Sequence, residues 1–373
     1  MRRKLILSYR FWLPGLLLVI AEMAAAGGAL RDSEGRFQNR YADLSRSQGF
    51  LRWQWDRVTE GLPKRAQIPT PVVSPDLVKI RTPQSDVQVT WIGHSSLLYQ
   101  IDGRNLLLDP VYAAYASPVP PLGPKRAQPP GVPFEHLPHI DAVLISHNHY
   151  DHLDLATVRQ LMLQPGGAPT FYVPLGVDAW FAEHVPGSKI AGPDRNVIAM
   201  DWDDASVLAG PHLSSPLSLR FLAVQHWAAR SPFDRNETLW GSWAIEHPKF
   251  RFWFSGDFAY SRDIDDLARD HAGFDLAAIA IGVYEPRWFM GRAHVDPFEA
   301  VKTFQTIKAK QAIGIHWGTF DGLSDEPLDQ PPRELAKARA EAGVTEEQFI
   351  LMAVGETRGF AGHTAVSARR VSP

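Results

Sequence analysis

The sequence predicts a layered α/β protein in which β-sheets pack between helices. Three observations carry that prediction. Short apolar runs of strand length alternate with helical patterns along most of the chain. The 373 residues, 45% hydrophobic and 21% charged, suffice to bury a large core as one big domain or two smaller ones. Histidines and aspartates stand directly after several strand-like runs, where open α/β folds present functional groups.

The elements follow in order. Arg2, Arg3 and Lys4 precede an apolar run from Phe11 to Ala21, and then comes Ala24-Ala25-Ala26-Gly27. A basic start, a short apolar stretch and small residues read as an export signal over residues 1–26. The run is shorter than the ~20 residues needed to cross a bilayer, which favours cleavage over a permanent anchor. The expected location is exported, periplasmic or membrane-associated, with cytoplasmic as the alternative. Residues 27–83 read as a polar, proline-punctuated arm whose concentrated apolar block is Phe50-Leu51-Arg52-Trp53-Gln54-Trp55.

The main domain is expected over 84–360, with a loose tail at 361–373. It opens on β-rich runs at 87–92, 96–101 and 105–109, the last two split by the turn Asp102-Gly103-Arg104, a hairpin signal. Past a proline-rich loop, strands are expected at 142–146, 171–174, 197–200, 219–224, 240–246, 250–255, 276–281 and 312–315. Helices are expected at 155–163, 177–184, 262–271, 297–308 and 332–342. Asp296 before Pro297 marks the start of the fourth helix as an N-cap.

Composition removes several function classes. A formal net charge of -3 offers no basic face for nucleic acid. The absence of cysteine excludes disulfides, thiol catalysis and Cys-based zinc sites, so a metal must be held by His and carboxylate. The strongest motif is His147-Asn148-His149-Tyr150-Asp151-His152 after the apolar run 142–145, with four metal-capable side chains in six positions. The same strand-then-ligand pattern recurs at His226, Asp257 and His316. Each is weak alone, but two metals sharing seven protein ligands need one bridging carboxylate, and Asp257 is the natural bridge.

This ordered set resembles the metal ligands of the metallo-β-lactamase superfamily. The resemblance implies an αββα sandwich of two mixed β-sheets flanked by helices, with His147, His149 and His226 on one zinc. It places Asp151, His152 and His316 on a second, and Asp257 between the two Zn2+ ions. Further runs look like the family of phospholipases D that hydrolyse N-acyl phosphatidylethanolamine. These are Gln225-His226-Trp227, Leu239-Trp240-Gly241-Ser242-Trp243, Tyr284-Glu285-Pro286-Arg287-Trp288-Phe289-Met290 and Ile315-His316-Trp317-Gly318-Thr319-Phe320. The first ~60 residues match only sparsely, so membrane docking and acyl-chain selection do not follow from the resemblance.

The implied activity is hydrolysis to an N-acylethanolamine and phosphatidic acid. Its partners are a phospholipid substrate and a membrane surface touched peripherally; no nucleic acid is expected, and a homodimer is compatible. Asp151 and Asp257 are assigned to orient the attacking water and move its proton. His294 is assigned to contact phosphate or protonate the departing alkoxide. Arg287, Trp288, Phe289 and Met290 combine a phosphate-capable guanidinium with apolar surface, against a core-packing reading with an Arg287–Glu285 ion pair. His94 reads equally as a support for the ligands and as a structural histidine. Lys125-Arg126 reads as a solvated loop pair. Competing functions are a related hydrolase of a lactone or soluble phosphodiester, and a non-catalytic lipid-binding protein.

Intact-mass measurement of the protein from its native cell is expected to show a chain starting near Gly27. Full-length protein in the cytosol would contradict export.

Overall fold

The computed structural model describes residues 28–42, 49–208 and 215–362. The expected signal at 1–26 lies outside them, as do tail residues 363–373.

Two seven-stranded mixed sheets form the αββα sandwich. From edge to edge the first runs Thr357–Phe360, Val87–Gly93, Ser96–Ile101, Arg104–Leu108, Ala142–Leu144, Thr170–Pro174 and Val197–Met200. The second runs Ala205–Leu208, Leu217–Leu222, Ser242–His247, Phe250–Phe254, Leu276–Ala280, Gln311–Ile315 and Phe349–Ile350. Each sheet makes three antiparallel pairings and then three parallel ones, a two-half likeness that the sequence hides.

Period-two alternation assigns the faces. Leu97, Tyr99, Leu106, Leu108, Ala142 and Leu144 point into the inter-sheet core, while Leu98, Leu107, Val143 and Ile145 join an outer cluster with the helices Leu155–Met162 and Val177–His184. Both faces are covered, so these strands read as continuous apolar runs. Tyr99 stacks on Phe252 across the two sheets at 4.7 Å. Helices Arg262–His271, Pro297–Thr306 and Gln330–Ala342 contribute Ile264, Leu267, Val301, Phe304, Leu335 and Ala338 to the second sheet's side of the core. Asp296 caps its helix in a reciprocal capping box with Glu299.

Among the strands that end sooner than expected are three that lead into ligand positions, ending at Leu144, Leu222 and Phe254 instead of 146, 224 and 255. The apolar signal reports burial, and here buried chain leaves the ladder to become a ligand loop. Its carbonyls are taken by indoles: Trp243 Nε1 donates to Ile145 O at 3.0 Å and Trp240 Nε1 to Val224 O at 3.0 Å. Trp91, Trp202, Trp240, Trp243 and Trp253 are accordingly buried.

The arm region contains a helix the sequence reading did not anticipate, Phe50–Glu60, bounded by left-handed Gly49 and Gly61. Short strands Ala205–Leu208, Phe349–Ile350 and Thr357–Phe360 were likewise not expected. The last pairs antiparallel with Val87–Gly93 and returns the chain to the first sheet. Among the described residues no helix is long and apolar enough to cross a membrane.

Trp243→Phe keeps an aromatic ring but removes the indole N–H and strands the Ile145 carbonyl. The expected loss is about 1–3 kcal/mol in urea unfolding. An unchanged midpoint would show that this bond does not secure the ligand loop.

Candidate metal centre

All seven sequence-identified ligand candidates converge where loops leave the strands of both sheets. His147, His149, His226 and Asp257 offer ligand atoms within 4.8 Å of one another, and so do Asp151, His152 and His316 together with His94. Asp257 reaches both groups: its Oδ2 lies 3.8 Å from His147 Nε2, 3.8 Å from His226 Nε2 and 3.3 Å from His152 Nε2, and its Oδ1 lies 3.1 Å from His316 Nε2.

The outer nitrogens of the imidazoles explain their aim. His147 Nδ1 meets Ser146 Oγ at 2.9 Å, His152 Nδ1 meets Asp109 Oδ2 at 2.7 Å, and His226 Nδ1 meets Ala293 O at 2.9 Å. These contacts leave Nε2 as the lone-pair atom facing inward, the arrangement that orients metal-binding histidines. His149 instead presents Nδ1, 2.8 Å from His147 Nε2 and 3.4 Å from His226 Nε2. His152 Nε2, His316 Nε2 and Asp257 Oδ1 are buried without a well-formed hydrogen bond within the protein. Convergent imidazole and carboxylate donors that the protein does not satisfy fit one or more divalent cations.

Electrostatics divide the histidines into two groups. Burial pushes His149 and His226 down to about 3, keeping these imidazoles neutral and able to bind a cation. Burial also opposes charge on His152 and His316, yet the surrounding carboxylates outweigh it, raising His152 well above the usual range and His316 to about 9. Asp151 and Asp257 stay well below the carboxylate range because neighbouring imidazoles, His152 first, outweigh their burial.

The local backbone is built for these positions. Asp109, His94 and His316 adopt φ of 40°, 55° and 61°, conformations that non-glycine residues adopt only under constraint. Gly256, at φ 56°, lies directly against Ser146, where a Cβ on it would sit 2.7 Å from the Ser146 Cβ. Gly282 passes so close to the His316 carbonyl that a Cβ would lie 2.3 Å from its oxygen.

The structure places the remaining candidates variously. His94 Nε2 lies 2.9 Å from Asp151 Oδ2, so it supports a ligand. His294 lines the cleft above the cluster with Nδ1 3.8 Å from Asp257 Oδ2, its ring stacked with His316 at 5.5 Å. Trp288, Phe289 and Met290 line that cleft, which measures about 590 Å³. Arg287 corrects the expectation of a phosphate contact. Its guanidinium binds Glu299 at 2.8 Å, Asp296 at 3.5 Å and the His294 carbonyl at 2.9 Å, while Glu285 accepts only its backbone N–H. Arg287 therefore positions His294 from behind. Lys125-Arg126 is not a solvated pair either: Arg126 donates to the carbonyls of Val111 and Ala113.

The sequence reading missed Asp109, fully buried and bonded to Ser146 and His152. The signal was present, a carboxylate directly after the run 106–108, but nothing in one sequence separates it from a turn residue. It also missed Asn39, which brackets the His226 backbone at 2.8 and 2.9 Å, and Arg230, which donates to Asn148 O and Leu153 O around the ligand motif.

Asp109→Asn keeps the shape and removes the charge that holds His152 Nδ1. Zinc affinity measured against a chromogenic chelator is expected to fall about 10- to 100-fold. Unchanged affinity would remove Asp109 from the centre's support.

Comparison with known proteins agrees with this geometry. Residues 104–317 match the beta-lactamase superfamily domain. The N-acyl-phosphatidylethanolamine-hydrolyzing phospholipase D 1 of Caenorhabditis elegans is 35% identical over 279 residues, covering 73% of this chain and 76% of that protein. The mitochondrial N-acyl-phosphatidylethanolamine-hydrolyzing phospholipase D of Saccharomyces cerevisiae is 29% identical over 274 residues, covering 73% of this chain and 55% of its own. Among solved structures, an isothiocyanate hydrolase from Delia radicum gut bacteria superposes with a TM-score of 0.53 at 18% identity, covering 74% of this chain and 100% of that one, a likeness of fold alone. With its fold, its convergent metal-binding clusters and the matched domain in agreement, the chain belongs to the metallo-β-lactamase superfamily.

Proposed function

We propose that this protein is a metal-dependent phosphodiesterase that hydrolyses the distal phosphodiester bond of N-acyl phosphatidylethanolamine, releasing N-acylethanolamine and phosphatidic acid. The observation that carries the reading is the cleft, which joins the His/Asp cluster to an apolar wall. Phe50 and Trp53 from the N-terminal helix meet Phe289, Trp288 and Met290, with Trp53 stacked on Phe289 at 4.9 Å. A hydrolytic site for a soluble ester has no need of such a wall. The family to which the Caenorhabditis elegans relative's name refers acts on this lipid, which supports the choice of substrate.

In this reading His147, His149 and His226 would hold one zinc and Asp151, His152 and His316 a second, with Asp257 within reach of both sets. Bound there, the ions would supply Lewis acidity toward phosphate oxygens and would lower the pKa of a water. The chain's own residues do the rest. Asp257 and Asp151 would orient the attacking water and relay the one proton it loses toward the departing alkoxide, Asp151 being steadied by His94. His294, held by Arg287 through its carbonyl, offers a ring N–H to a phosphate oxygen or to the departing alkoxide. The stacked Trp53 and Phe289 exclude water from one side of the cleft.

Peripheral membrane contact belongs to the same proposal. Leu51, Trp55 and Val58 are 83%, 69% and 81% exposed, and their spacing places them on one face of helix Phe50–Glu60. The same helix lends Phe50 and Trp53 to the cleft, so insertion of that face would set the cleft mouth at the lipid surface.

The test is to load the protein with zinc, count metal by elemental analysis, and present N-acyl phosphatidylethanolamine in mixed micelles while following both products by mass spectrometry. About two zinc ions per chain and stoichiometric release of both products are expected, with His316→Ala inactive. Turnover of a lactone or a soluble diester with the lipid untouched would leave a superfamily hydrolase and remove the lipid. Lipid binding without any turnover would favour a binding protein.

A further inference from the structure

We infer that Glu326 is a positioning residue for the metal centre: its buried carboxylate shapes the backbone of residues 282–285, and that backbone fixes the ring of His316. The inference rests on reading His316 as a metal ligand, and it is independent of the lipid assigned as substrate.

Strand Leu276–Ala280 runs parallel to Gln311–Ile315, and Ile281 N still donates to Ile315 O at 3.0 Å. Beyond that bond the two chains stay in backbone contact, since a Cβ on Gly282 would lie 2.3 Å from the His316 carbonyl oxygen and 3.1 Å from Trp317 Cβ. The Gly282 carbonyl oxygen in turn lies 3.3 Å from His316 Nδ1. On the other side of the same ring, Nε2 faces Asp257 Oδ1 at 3.1 Å and Asp151 Oδ2 at 3.4 Å. The place of one carbonyl therefore sets the aim of one ligand.

What sets that carbonyl is the turn after it. Val283, which also lines the cleft, has a φ of 64°, a conformation that a β-branched residue adopts only when its surroundings impose it. Glu326 is the constraint. Its Oε1 accepts from Val283 N at 2.5 Å and from Tyr284 N at 3.2 Å, and its Oε2 accepts from Glu285 N at 3.0 Å. Three successive N–H groups thus point at one carboxylate, an anion-binding concavity filled by the protein's own side chain. Asp325 N, donating to Glu285 O at 3.1 Å, clasps the same turn at its far end. Glu326 is 7% exposed, and it lines one small cavity of about 20 Å³ together with Val283, His94 and His316. Burial pushes its carboxyl up, against the pull of Ser324 and of the backbone N–H groups. Only an acceptor on both oxygens satisfies this turn; an amide would set its NH2 against a backbone N–H.

The test is cobalt binding to the metal-free full chain, followed by visible absorption and by elemental analysis after dialysis. His316→Ala identifies the equivalent of cobalt that depends on His316, and His147→Ala identifies the other. Glu326→Gln is expected to weaken the first about tenfold and shift its absorption, leaving the second unchanged. Glu326→Asp keeps an acceptor-only carboxylate and should restore part of the affinity. Asp141→Asn is the structural control. It breaks a comparable bond, Asn105 N to Asp141 Oδ2 at 2.9 Å, at the strand end remote from the ligands. It should lower the unfolding midpoint and leave both equivalents intact. Wild-type cobalt binding in Glu326→Gln, equal weakening of both equivalents, or the same spectral change in Asp141→Asn overturns the role of Glu326. Should Glu326→Gln fail to fold by circular dichroism, Glu326→Asp decides, and cobalt binding identical to wild type overturns the proposal. A wild-type chain that takes up no cobalt would remove the metal reading and this inference with it. The expected cobalt pattern with N-acyl phosphatidylethanolamine left uncleaved would remove the substrate alone.

Discussion

The structure is organised around the gathering of six imidazoles and two carboxylates at one buried point between two sheets. His94, His147, His152, His226, His316, Asp151 and Asp257 are all nearly inaccessible, with His149 beside them. Polar groups stripped of water are tolerable only when each is oriented and partnered. Here Asp109, Ser146, His94 and the Ala293 carbonyl hold the outer faces of the ligands, and the inner faces converge on one another. Much of the surrounding architecture serves that convergence. Indoles from the core take the carbonyls of departing strands, and left-handed residues turn the chain at Asp109, His94 and His316.

Neither sheet makes the centre alone. The motif at 147–152 leaves the first sheet, while His226, Asp257 and His316 leave the second, so a site exists only when the two halves pack. The apolar inter-sheet core thus supplies both stability and registration, since the offset between sheets sets the distance of Asp257 from both histidine groups. A substitution such as Trp243→Phe, although remote from the ligands' reacting atoms, acts on the same property.

The cleft above the centre has a different origin. One wall comes from the N-terminal helix and another from the segment around Trp288 to His294, secured by Arg287 against the capped helix at Pro297. The ligand floor is thus set by the sandwich, and access to it by two additions that contact each other through Trp53 and Phe289. The metal-binding floor thus belongs to the core loops and the walls of the cleft to the additions.

By itself the sequence indicated a layered α/β class and the His and Asp candidates that the structure brings together. Strand and helix runs are local patterns of burial, and His147 to His152 follow a run too apolar to be anything but buried, so both are legible without coordinates. The cap at Asp296 is legible for the same reason, being a contact within four residues. Only the tertiary structure decided which side chains lie behind the clustered histidines and which line the cleft. Asp109 is separated by 43 positions from His152, and Asn39 by 187 from His226, distances over which a single sequence carries no pairing signal. Arg287 shows the limit in the other direction. Its neighbours in sequence suggested a partner in Glu285 or a phosphate, but helix capping brought Glu299 and Asp296 to it and turned a candidate ligand for substrate into a brace for His294. Charge type is written in the chain, whereas the partner that neutralises it is chosen by packing.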